Sequence, residues 1–160
     1  MRKIIPLLLF AIMTMVGCST LDCPLNNTVY TKYKLDGNIK QLTGATLTVW
    51  TPTKSGVDST LLNQQENPDS FKLPMSYFNA ADTLYFEVTD QLQRVFLDTV
   101  TVSKDNHQHF ESIDCNPSYF HTIEEVKTTH NLIDSIVINH KDVNFDETKA
   151  HFLIYFGTRD

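Results

Sequence analysis

Glycine is scarce in this chain: five residues in 160, one of them at position 17 inside an apolar leader. Loops that cradle phosphates or dinucleotides need several glycines close together, because only glycine lets the backbone turn sharply and approach the ligand. No such cluster exists, and Gly-x-Ser-x-Gly and His-Glu-x-x-His are missing too. Basic residues number thirteen against nineteen acidic ones, for a formal net charge of -6, and no three of them cluster. A nucleic-acid partner needs a concentrated positive face to neutralise phosphates, so that class is set aside. Helical periodicity is absent beyond the leader, and so are internal repeats. The chain is read as a non-enzyme with no cofactor, although isolated catalytic groups can still converge in space.

What is present begins with Met1-Arg2-Lys3, two cations, followed by the almost unbroken apolar run Ile4 to Val16. This is the charged and then apolar pattern of an export signal. The run falls short of the roughly 20 apolar residues that a membrane-spanning helix requires. It ends at Met15-Val16-Gly17-Cys18, which resembles a bacterial lipobox. The resemblance implies cleavage before Cys18 and acylation of that residue. Each buried acyl methylene contributes about 0.8 kcal/mol, and two or three chains make a long-lived attachment. The expected plan is a signal peptide over 1–17, a lipidated tether over 18–27 and one domain over 28–160, held to a lipid bilayer through Cys18.

Of three cysteines, Cys18 is assigned to the lipid, which leaves Cys23 and Cys115 as an even pair in an oxidising compartment. A disulfide between them is expected. It would close a loop of about ninety residues and stabilise by about 4 to 5 kcal/mol on the chain-entropy model.

The rest of the sequence alternates with period two. Ala45 to Thr51 sets Leu47 and Val49 against Thr46, Thr48 and Trp50. Asp82 to Thr89 sets Leu84, Phe86 and Val88 against Tyr85 and Glu87. Val95 to Val102 shows Val95 and Leu97, then Val100 and Val102, with a register change expected at Asp98-Thr99. Further strands are expected at Thr28 to Tyr33, Thr60 to Leu62, Ser70 to Leu73, Gln108 to Ile113, Thr122 to Thr129, Leu132 to Asn139 and His151 to Phe156. Turn residues separate the runs, as in Asp36-Gly37-Asn38 and Asn67-Pro68-Asp69. The fold class is all-β, an antiparallel β-sandwich of immunoglobulin-like general architecture.

Two segments carry a family resemblance: Asp22-Cys23-Pro24-Leu25-Asn26-Asn27, and His109-Phe110-Glu111-Ser112-Ile113-Asp114-Cys115-Asn116-Pro117. With Asp134-Ser135-Ile136-Val137-Ile138 and His151-Phe152-Leu153-Ile154-Tyr155-Phe156 they resemble a domain-of-unknown-function family of small Bacteroidota lipoproteins. That resemblance implies a lipoprotein with a disulfide and assigns no activity. Surface-exported lipoproteins of that phylum often carry acidic residues right after the lipidated cysteine. Here Ser19-Thr20-Leu21-Asp22 follows, so the expected place is the outer membrane, with the domain on the periplasmic side.

Three clusters are candidates for chemistry. His107 and His109, two apart, share a strand face and could hold a metal with His121 or Glu111; alternatively they serve a polar turn and pack beside the disulfide. Asp142, Asn144 and Asp146 place oxygens at alternate positions, as a calcium loop begins. The EF-hand pattern nevertheless fails, because Glu147 and Leu153 stand where glycine and glutamate are needed. Trp50, Tyr77 and Tyr85, with Phe78, could form a glycan-stacking platform or could simply cover a sheet edge. The reading is a non-catalytic envelope module that binds a protein partner or serves an assembly; the alternatives are a glycan- or metal-binding module and, more remotely, an enzyme of unrecognised type.

Overall fold

The computed structural model describes Cys23 and residues 26–158. The leader, Cys18 and most of the tether lie outside the described residues. Ten strands follow in order: β1 (Tyr30–Asp36), β2 (Thr46–Thr51), β3 (Ser59–Glu66), β4 (Ser70–Pro74), β5 (Ala81–Thr89), β6 (Val95–His109), β7 (Ser118–Thr128), β8 (Ile133–Ile138), β9 (Asp142–Val143) and β10 (Phe152–Phe156). They form a four-stranded sheet, β4-β1-β10-β8, and a six-stranded sheet, β3-β2-β5-β6-β7-β9. The two pack face to face as an all-β, sandwich-like body. One pair departs from the antiparallel pattern: β1 runs parallel to β10, joining the two ends of the domain. Among the described residues no helix is long and apolar enough to cross a membrane.

Alternation explains the core. Leu47 and Val49 of β2 and Leu84, Phe86 and Val88 of β5 are buried, as their spacing predicts. At the centre Tyr33 stacks on Phe71 (5.1 Å between centroids) and on Phe152 (4.7 Å), while Phe86 meets it edge-on at 5.9 Å. Each such pair adds about 0.5–1.5 kcal/mol beyond area burial. Where β1 ends, Gly37 has φ +79°, and a Cβ there would stand 2.8 Å from the Tyr155 ring, so the turn needs glycine for conformation and for space.

Strand β6 differs most from expectation. It runs unbroken from Val95 to His109, so the separate strand expected at Gln108 to Ile113 does not form. Its pairing with β5 passes straight through Asp98 and Thr99. The register shift lies instead between Ser103 and Lys104, against β7. Val95 and Leu97 face solvent, and the inward positions are Asp98, Val100, Val102 and Lys104. Two charged residues at core-facing positions make a continuous strand look like two.

Asp98 occupies its inward position because it fastens the β7–β8 turn. Its carboxylate accepts the backbone N–H groups of Asn131, Leu132 and Ile133 at 2.7–2.9 Å, and the Thr129 hydroxyl at 2.8 Å.

Strand pairing gathers loops 52–58, 75–80, 110–117 and 139–151 at one end of the sandwich. Cys23 is bonded to Cys115 there, with 5.5 Å between Cα atoms. Asn27 reinforces the junction, its Nδ2 donating to the Asn116 carbonyl at 3.1 Å. Cys23 and Asn27 are therefore joined to the domain at this end.

Candidate functional site

The histidines proposed as metal ligands do not converge. His121 lies directly opposite Asn106 across β6 and β7, while His107 lies opposite Phe120. Side chains alternate along a strand, so His107 and His109 point to the outer face and His121 to the inner one. His107 Nε2 is 3.2 Å from Thr122 Oγ1. His109 stacks on Phe120 at 4.2 Å and pairs with Glu111 at 3.1 Å. Among the described residues no group of three or more histidine, cysteine or acidic side chains is placed to hold a metal ion.

The acidic run is likewise engaged in its own turns. Asn144 Oδ1 accepts the Asp146 N–H at 2.7 Å, and Asp146 Oδ1 accepts the Thr148 N–H and hydroxyl at 3.0 and 2.6 Å. The Thr148 hydroxyl is the main reason the Asp146 carboxyl lies below its usual range. Asp142 sits on β9, paired with Thr122 of β7. These residues shape the connection from β8 to β10.

The aromatic candidates split in two. Trp50 and Tyr85 are cross-strand neighbours on the outer face of the larger sheet, stacked at 5.7 Å. Tyr77 belongs to the 75–80 loop, where it stacks on Tyr119 at 4.9 Å and packs against Phe78 at 4.1 Å.

The 75–80 loop marks the most organised part of the molecule outside the apolar core. Lys104 Nζ, fully buried, donates to the Ser76 and Asn79 carbonyls at 2.5 and 2.7 Å and to Asn106 Oδ1 at 3.0 Å, with Asp82 at 3.6 Å. Asp82 accepts the Ser76 N–H at 3.1 Å. Asn106 Nδ2 donates to the Asn79 carbonyl at 3.0 Å, which assigns its Oδ1 as acceptor for His121 Nδ1 at 2.7 Å. The His121 proton is thus on Nδ1, and Nε2 carries the lone pair. Burial, then the Lys104 charge, lowers His121 to about 4, with Asp82 opposing. Burial also lowers the Lys104 ammonium, again against Asp82, and pushes the Tyr33 phenol above its usual range. A lysine with all its protons engaged has no lone pair to offer as a nucleophile. The cluster anchors a loop.

That anchored loop separates two clefts. The larger, about 490 Å³, opens between the sheets and is walled by Leu61, Pro74, Met75, Phe78 and Leu84, with Asp82 among its polar residues. The smaller, about 280 Å³, is lined by Asn27, Val29, Met75, Tyr77, Tyr119 and His121. Met75 lies in the wall of both. Sequence reasoning missed Asp82, Lys104, Asn106, Leu61 and Met75 as parts of one site. Lys104 continuing the inward rhythm of Val100 and Val102 was the available signal.

No curated protein and no solved structure matches this chain. A model of a family of unknown function matches residues 46–156, from the first residue of β2 to the last of β10. The chain belongs to that family, DUF6452.

Proposed function

We propose that this chain is a lipid-anchored, non-catalytic module of a bacterial envelope, which receives an apolar segment of an envelope protein in the cleft between its two sheets. The observation that carries the reading is that cleft. Its volume, about 490 Å³, is in the range of pockets that enclose small ligands or side-chain clusters. Its walls are apolar and open, and its floor is pinned by the Asp82–Lys104 network. Binding surfaces gain from such rigidity, because less ordering is needed when the partner arrives. Asp82, the acidic group in the cleft wall, is taken up by the Ser76 N–H and Lys104, which leaves the cleft suited to holding a partner. The leader and the Cys18 motif supply the anchor.

The test is affinity capture of the full-length protein from crosslinked native envelopes, alongside Cys18→Ala and Leu61→Asp. A defined envelope protein recovered with the parent and lost with both variants is the expected result. Identical recoveries from all three would overturn the reading.

A second reading has one observation behind it, the stacked Trp50–Tyr85 pair on the outer face. Trp50 is the chain's sole tryptophan, so a glycan bound there would shift intrinsic fluorescence directly. Unchanged emission across a saccharide panel removes that alternative.

A further inference from the structure

The apolar side chains that face water are not spread evenly. Among the described residues ten large hydrophobic side chains are exposed, and six of them, Val57, Tyr77, Phe78, Phe110, Ile113 and Phe145, belong to the loops at the disulfide end. The opposite end contributes Leu92, and the sheet faces contribute the rest. Ile113 is 95% exposed and Phe78 77%. Isolated exposed apolar residues are ordinary, whereas a set gathered at one end marks a contact surface.

The occupant of that surface follows from where the chain leaves it. Cys23 is bonded to Cys115, in the same loop as Phe110 and Ile113. Cys23 lies five positions after Cys18, and a fully extended chain over five steps spans at most about 18 Å. An acyl group on Cys18 therefore holds this end of the domain within one short tether of the bilayer. We infer that the rim formed by loops 52–58, 75–80 and 110–117 rests on the membrane, with Phe78, Phe110 and Ile113 entering the interfacial layer. The inference rests on the lipid-anchor part of the proposed function. It adds the orientation of the domain, with the disulfide end toward the lipid.

Charge specifies what kind of membrane contact this is. The three loops carry a single cation, Lys54, against Asp58, Glu111 and Asp114. Attraction to anionic headgroups needs several basic residues close to the surface. Contact here is apolar, so it should not favour anionic lipid and should survive high salt.

The experiment uses the full lipidated protein in phosphatidylcholine vesicles containing lipids brominated near the headgroup end of the acyl chains. Two single-tryptophan variants are compared in a Trp50→Phe background, Ile113→Trp at the proposed contact and Leu92→Trp at the far end. Flotation with the vesicles reports the anchor, and bromine quenching reports the contact. The expected result is flotation of both, with quenching at position 113 exceeding that at 92 by at least about twofold, since interfacial side chains reach roughly 5–10 Å into the boundary. Quenching should be unchanged in about 0.5 M salt, which shortens the Debye length to a few ångströms, and unchanged when anionic lipid is added. Flotation with equal, weak quenching at both positions overturns the contact and leaves the anchor standing. Failure to float overturns the anchor and the orientation with it.

Discussion

Lys104 and Asp82 face each other at 3.6 Å beneath the 75–80 loop, with the ammonium fully buried. Three oxygen acceptors besides the carboxylate surround that ammonium, so the charge is compensated locally and the loop carbonyls are satisfied by the same group. Removing one partner of such a pair strands the other in a low-dielectric setting. Lys104→Met should lower stability by about 3–5 kcal/mol on that account. Combining it with Asp82→Leu should recover part of the loss. Urea denaturation of the single and double variants checks both statements.

Asp98 gives a pH dependence of known sign. Burial alone would raise its carboxyl, but the N–H groups of Ile133, Asn131 and Leu132 and the Thr129 hydroxyl hold it below the ordinary range. The folded state then binds its proton less readily than the unfolded chain, so stability rises with pH across the window between the two values. The contribution is complete above the unfolded value of about 3.9 and is lost as pH falls through the folded one. Asp98→Ala should cost at least about 2 kcal/mol at neutral pH, since charged acceptors contribute about 1.5–3 kcal/mol per bond. Acid unfolding of the variant should lose the component seen in the parent below about pH 4.

His121, a base, makes a prediction of the same sign in a higher pH window. Its folded pKa of about 4 lies below the unfolded value of about 6.5. The unfolded chain therefore takes up a proton that the folded one refuses, and stability declines as pH falls between those values. The ring proton resonances of His121 should stay at their neutral positions down to about pH 5. A midpoint near the ordinary histidine value would show that Asn106 and Lys104 do not enclose the ring as described.

Two glycines separate conformation from space. Gly37 and Gly56 have nearly equal positive φ, +79° and +78°, but only Gly37 has a neighbour, the Tyr155 ring. Left-handed backbone costs an L-residue roughly 1–2 kcal/mol. Gly56→Ala should show that cost alone, and Gly37→Ala should exceed it. Equal losses in thermal unfolding would contradict the close approach of Tyr155.

Much of the fold was legible because one face of each sheet is buried. Leu47 and Val49, and Leu84, Phe86 and Val88, alternate as a half-buried strand must, and both segments form where their spacing predicts. Cysteine parity, with the oxidising compartment expected from the leader, led to the Cys23–Cys115 bond. The full length of β6 was hidden, because Asp98 and Lys104 occupy core-facing positions through hydrogen bonds made with segments remote in sequence. The parallel β1–β10 pair leaves no local trace, since it joins opposite ends of the domain. The histidine cluster failed for a related reason: the face of His121 relative to His107 depends on cross-strand register, which spacing along one strand does not reveal. The larger cleft exists only once the 75–80 loop is set by Lys104.

A partner seated in the cleft at the disulfide end is the occupant proposed for this module. Site-specific photocrosslinking in intact envelopes tests it most directly, with the photoreactive side chain placed at Ser59 on the cleft lip and, separately, at Thr99 on the outer face of β6. A discrete adduct with one envelope protein from position 59, absent from position 99 and abolished by Leu61→Asp, is the predicted result. The same adducts from both positions, or none from position 59, would contradict the account.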